Sequence, residues 1–113
     1  MYRTIRQQFA EGSYSYQQIV GARKYDTATA SPVIELWIDD FPDNDWHCDW
    51  CEILFENLHG QFFVYRYCDA GDPWDYDKIT PMNREEAILW AEKHRSAQTL
   101  EDIFGKIKEA GEP

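Results

Sequence analysis

Alternation and helical spacing divide the chain into strands first and helices last. Near the start, Tyr2, Ile5 and Phe9 recur at helical spacing up to Gly12, which allows a short N-terminal helix over 2–11. The segment from Gln18 to Tyr25 has the β-branched and aromatic content of a strand. A DNA-binding helix-turn-helix over the same stretch is rejected. Its second helix, Ile19 to Tyr25, would carry Gly21 at its centre and show no apolar stripe. Asp26 to Pro32 is turn-rich, and Val33-Ile34-Glu35-Leu36-Trp37-Ile38 predicts a second strand.

Two more strands, Cys51 to Glu56 and Gln61 to Cys68, flank Asn57-Leu58-His59-Gly60. Asn first and Gly fourth fit a type I turn with a glycine bulge. That turn sets Ile53 opposite Tyr65, Phe55 opposite Phe63 and Glu52 opposite Arg66, with Ile53, Phe55, Phe63 and Tyr65 on one core face. A two-residue turn at His59-Gly60 would instead set Cys51 opposite Cys68, close enough to oxidise. The bulged turn is preferred, because the alternative needs His59 at positive φ.

Two helices close the chain. Asn83 and Glu86 form a capping box, Met82 can staple onto Ala87, and Ala87, Trp90, Ala91 and His94 follow at helical spacing. Thr99 is expected to cap a second helix whose Leu100, Ile103, Phe104 and Ile107 form a stripe ending near Gly111. The expected fold is α+β: an antiparallel sheet of about four strands in one layer, with the two C-terminal helices packed on one face. Residues 1–113 then form a single domain, with 1–17 as an N-terminal extension and 39–49 and 69–80 as acidic loops.

Charge sharpens this picture. The chain has 21 acidic and 11 basic residues, a net charge of −10. Residues 39–77 hold eleven carboxylates against Arg66 alone, so this middle third carries the whole net charge. It also holds ten of the eighteen aromatic residues, whereas a solvated disordered tail is poor in rings. Such acidity argues against direct binding of nucleic acid, whose phosphates require lysine and arginine. No apolar run has the length of a membrane span, and the start has no signal-peptide stretch. Three cysteines do not make a disulfide framework, so a cytoplasmic location is expected.

An ordered set of short motifs runs through residues 20–105. It comprises Arg23-Lys24-Tyr25-Asp26-Thr27, Glu35-x-Trp37, Cys51-Glu52-x-Leu54, Gly60-x-Phe62-Phe63, Ile79-x-Pro81, Glu85-Glu86-Ala87-x-x-Trp90-Ala91-Glu92-x-His94 and Ile103-Phe104-Gly105. The set resembles small proteins encoded on integrative elements and prophages of gut Gram-positive bacteria. The resemblance implies a mobile-element origin and an intracellular site of action, and it carries over no catalytic residue. The chain departs from that pattern at Asp69–Asp77, where those proteins tend to have a glycine-rich stretch.

Candidate chemistry is sparse. His47-Cys48-x-x-Cys51, with His59 or Cys68 as fourth ligand, is a weak candidate zinc site that lacks a second compact ligand pair. Asp43-Asn44-Asp45 begins like a calcium loop and lacks its later ligands. There is no phosphate-binding glycine loop or nucleophile elbow, no cofactor motif, and no catalytic residue to name. The expectation is a non-enzymatic inhibitor that mimics nucleic acid and enters the basic groove of a nucleic-acid-handling defence protein, such as an anti-CRISPR or anti-restriction protein. Asp39, Asp40, Asp43, Asp45, Trp46, Asp49, Trp50, Asp72, Trp74, Asp75, Tyr76 and Asp77 would form its partner-binding surface, with carboxylates steering encounter and rings holding the complex. The alternatives are a sponge for a nucleotide signal, built around rings such as Trp37 and Trp90 with Arg66, Arg23 and Lys24, or an accessory domain whose acidity serves only solubility.

Overall fold

A computed structural model describes residues 15–38, 50–68, 77–93 and 95–112. The N-terminal helix expected over 2–11 lies outside them. The chain is α+β. Strands β1 (Gln17–Val20) and β2 (Arg23–Asp26) form a hairpin, and β3 (Ser31–Ile38), β4 (Trp50–Glu56), β5 (Phe62–Cys68) and β6 (Lys78–Met82) form an antiparallel meander in that order. Helices α1 (Arg84–Glu92) and α2 (Ala97–Phe104) follow. No helix among the described residues is long and apolar enough to cross a membrane.

The sheet does have four strands, with a membership that differs from expectation. Gln18 to Tyr25 is folded back on itself at Gly21-Ala22, both at positive φ (59° and 62°), the geometry of a two-residue hairpin turn. The fourth strand is β6, which begins inside the stretch expected to be the loop 69–80 and runs on to Met82. The expected extension 1–17 likewise ends earlier, since β1 opens at Gln17 and Tyr16 packs on the core.

The β4–β5 register is the one the bulged turn requires. Glu52 pairs with Arg66, Ile53 with Tyr65 and Phe55 with Phe63, while Cys51 pairs with Tyr67 instead of Cys68. At the turn, Asn57 Oδ1 accepts from both His59 N and Gln61 N at 2.9 Å, and Gly60 takes φ 76°. The asparagine side chain thus replaces the ladder bonds that the loop cannot make.

Both faces of this central pair are apolar, so both must be covered. One face presents Cys51, Ile53, Phe55, Phe63, Tyr65 and Ile79, with Phe55 and Phe63 stacked at 5.2 Å. The β1–β2 hairpin covers it through Tyr16 and Tyr25, whose ring meets Phe63 edge-on at 5.5 Å. The other face presents Ile34, Leu54, Phe62 and Val64 to Ala87 and Ala91 of α1 and Leu100 of α2, with Trp90, Ile103, Phe104 and Ile107 packed around them. The hairpin therefore adds a third layer to the two expected.

The capping box at Asn83 and Glu86 is present, and Met82 shares the cluster of Ala87. Helix α2 is capped by Ser96 instead of Thr99, which is its third helical residue and donates its N–H to Ser96 Oγ at 3.3 Å. It stops at Gly105, short of Gly111. There Arg84 Nη2 donates to the carbonyls of Phe104 and Lys106, both at 3.0 Å, supplying a cation to a helix end whose last turn has no basic residue of its own.

Ala22→Gly removes a left-handed alanine and should stabilise the protein by about 1 kcal/mol in urea unfolding. Asn83→Ala, by contrast, removes the Oδ1 that accepts from Glu86 N, one half of the capping box, and should cost about 1 kcal/mol.

Candidate functional site

A meander places alternate connections at opposite ends of its sheet. Ile38, Trp50 and Cys68 are paired in one row across β3, β4 and β5, and Arg66 pairs with Lys78 two rows further in. The strand ends that flank residues 39–49 and 69–76 are therefore all at the same end. The β4–β5 turn and the start of α1 lie at the other. Those two segments hold eight carboxylates and no lysine or arginine, together with Phe41, Trp46, Trp74 and Tyr76. Of the expected partner-binding residues, Asp39, Asp40, Asp43, Asp45, Trp46, Asp49, Asp72, Trp74, Asp75 and Tyr76 lie outside the described residues. Trp50 is described by its backbone, as the first residue of β4. Asp77 is described in full.

Asp77 precedes β6 and falls two residues from Ile79, on the sheet face that the hairpin covers. Its carboxylate Oδ2 accepts a 2.5 Å hydrogen bond from the hydroxyl of Tyr65, a side chain with no exposed surface. Its main-chain carbonyl accepts from the hydroxyl of Tyr16 at 3.2 Å, and the Tyr16 and Tyr65 rings meet at 5.1 Å. Asp77 Oδ1 is enclosed and has no donor. Burial pushes the Asp77 carboxyl above its usual range, and the Tyr65 hydroxyl offsets part of that rise. Burial also raises Tyr16, and the neighbouring Asp77 charge adds to it.

The same corner fixes the hairpin. Tyr16 N donates to Thr27 Oγ1 at 2.7 Å and Thr27 N to Tyr16 O at 3.0 Å, with Thr27 fully buried. Gln18 Oε1 then accepts from Ile79 N at 2.7 Å, so a side chain of β1 occupies a main-chain donor of β6.

Other candidate sites gain little from the fold. His47 and Cys48 lie outside the described residues, Cys51 is fully buried in the core, and Cys68 is placed by its backbone opposite Trp50. His59 is at the far end of the β4–β5 pair. Among the described residues, no group of three or more His, Cys, Asp or Glu is arranged to hold a metal ion. A groove of about 430 Å³ at the end opposite the acidic segments is lined by Tyr25, Gln61, Phe62, Met82, Arg84 and Glu86, among others. Arg84 is committed there to two carbonyls, and Glu86 adds a negative charge, so the groove is poor in donors for a phosphate. Trp90 packs against the helix-side core and does not line that groove.

Reading the sequence selects Asp77 and misses both tyrosines that hold it. Tyr65 alternates with Ile53, Phe55 and Phe63 as a core residue, and only a buried hydroxyl's need for a partner marks it as more. Tyr16 makes its contact across sixty-one residues, which no local pattern reveals.

Tyr65→Phe removes the hydroxyl that donates to Asp77 Oδ2 and should destabilise the protein by about 1–3 kcal/mol in urea unfolding. No protein-family model matches this chain, and no curated protein or solved structure matches it.

Proposed function

We propose that the protein is a non-enzymatic inhibitor that docks its acidic end into the basic groove of a nucleic-acid-handling defence protein, as anti-CRISPR and anti-restriction proteins do. The observation that supports this reading is the common origin of the two acidic segments: Ile38, Trp50, Cys68 and Lys78 all belong to one end of the meander. Eight of the net ten negative charges are thereby tethered to a single side of the fold. A field concentrated in this way accelerates encounter with a cationic groove and weakens with salt. The interspersed rings supply apolar area that phosphate mimicry alone lacks, and such desolvated rings govern how long a complex lasts. The resemblance to mobile-element proteins points to the same class of target, since such elements meet host defences on entry.

The test uses purified CRISPR effector complexes and restriction endonucleases challenged with target DNA in the presence of the protein. DNA binding by a susceptible target should be blocked. The association rate with that target should fall about tenfold or more between about 50 and 200 mM salt. Replacing Asp43, Asp45, Asp72 and Asp75 by asparagine should abolish the block while leaving the melting temperature near that of the parent. Inhibition that survives all four replacements, or association indifferent to salt, overturns the reading.

A further inference from the structure

The docking of the N-terminal hairpin is built around a carboxylate that the fold accommodates badly when ionised. Four contacts hold the hairpin against the β4–β6 face: the Tyr16 ring on Tyr65, the Tyr16 hydroxyl on the Asp77 carbonyl, Gln18 Oε1 on Ile79 N, and Tyr25 against Phe63. Three of the four involve Asp77, its bonded partner Tyr65, or Ile79 two residues away. The Asp77 side chain has one oxygen satisfied by Tyr65 and the other enclosed without a donor. A half-buried carboxylate with one oxygen enclosed and short of a donor is costly to ionise, and the simplest relief is to reach water. Moving Asp77 outward breaks its bond to Tyr65 and carries away the carbonyl that Tyr16 holds.

We propose that Tyr16, Tyr65 and Asp77 form a proton-operated clasp that docks the β1–β2 hairpin on the sheet, closed when Asp77 carries its proton and slackened when it is ionised. Among the described residues, the charged and titratable groups around it do not supply a counterion on its own face. From β5 comes Tyr65, from the segment before β1 comes Tyr16, and from β4 the buried Cys51; Gln18 of β1 is neutral. Glu35 stands at the far edge, three strands from Ile79 in the row of Ile53 and Tyr65. Glu52, Arg66 and Lys78 form a row whose positions alternate onto the opposite face. Neutralising Asp77 therefore falls to the proton. The sign follows from burial, which raises the carboxyl in the folded state. The proton's contribution to docking is fully present below the unfolded carboxylate range and is lost as pH rises through the folded value. This runs opposite to the usual acid loosening of a protein rich in paired carboxylates. It stands independently of the function proposed above.

The reporter is the Ile79 amide, whose hydrogen bond to Gln18 exists only while the hairpin is docked. Its hydrogen-exchange protection factor, corrected for the intrinsic rate at each pH, should fall in the parent between about pH 4 and pH 7. In Asp77→Asn, a near-isosteric neutral variant, protection should stay at the acid-state level throughout. That variant should also melt higher than the parent at pH 7 and converge with it near pH 4. A direct check that needs no variant is the side-chain carboxyl resonance of Asp77, which should titrate in step with Ile79 protection. Protection at Ile79 that is flat with pH in the parent, or that falls equally in Asp77→Asn, overturns the clasp.

Discussion

The structure depends on one constraint: the β4–β5 pair is apolar on both faces. A hairpin with Ile53, Phe55, Phe63 and Tyr65 on one side and Leu54, Phe62 and Val64 on the other cannot stand with either side in water. Each face therefore has to be covered by a different part of the chain. The N-terminal hairpin arrives on one side with two tyrosines, and the C-terminal helices arrive on the other with small alanines and the Leu100–Phe104 stripe. Alanines at 87 and 91 let α1 approach the sheet closely, and the bulk is supplied by Phe62 against Phe104, at 5.3 Å between ring centres. The two chain ends are thus joined through the middle of the sequence, which has most of the rings and most of the charge.

The edges of the sheet are blunted, which leaves its ends as the places to meet a partner. Strand β3 carries Pro32 and a register shift between Pro32 and Ile34, and Arg95 Nη2 donates to the carbonyl of Glu35 at 2.8 Å. Strand β6 carries Pro81, and its Ile79 N–H is taken by Gln18. Missing donors, a bulge and side chains that occupy main-chain groups are the devices that keep edge strands from pairing with other chains. The two ends differ sharply. One is the compact Asn57–Gly60 turn, and the other is where both acidic segments are anchored.

How much of this was legible follows from how local each determinant is. The register of β4 on β5 was readable because Asn57 and Gly60 define the turn within four residues, and the α1 boundary because Asn83 and Glu86 satisfy each other within one helical turn. The Gly21-Ala22 turn was hidden because alanine at positive φ runs against residue preference and is imposed by the packing of Tyr16 and Tyr25 on either side. Strand β6 was hidden because Pro81 and the exposed Lys78 and Thr80 dilute its alternation, leaving Ile79 as its one fully buried side chain. At the second helix, Ser96 and Thr99 carry the same capping chemistry, and the choice between them is made by where Leu100 meets the core. The acidic end was legible as composition, while its geometry came only from the order of strands in the meander.

Asp77 joins these two themes, since it is both the last acidic residue of the charged middle and the first residue held by the core. Its neighbours in sequence belong to a segment rich in carboxylates, where a further charge is unremarkable in water. Its position under Tyr16 places that charge where it is expensive, because the fold gives it one tyrosine hydroxyl and leaves the second oxygen enclosed. An asparagine there would bring no charge to desolvate, so packing alone does not account for an aspartate. The clasp proposed above gives the carboxylate a role that asparagine could not fill, since only the acid can gain or lose a charge with pH. In that clasp, proton binding removes the charge from a half-buried carboxylate whose enclosed oxygen has no donor.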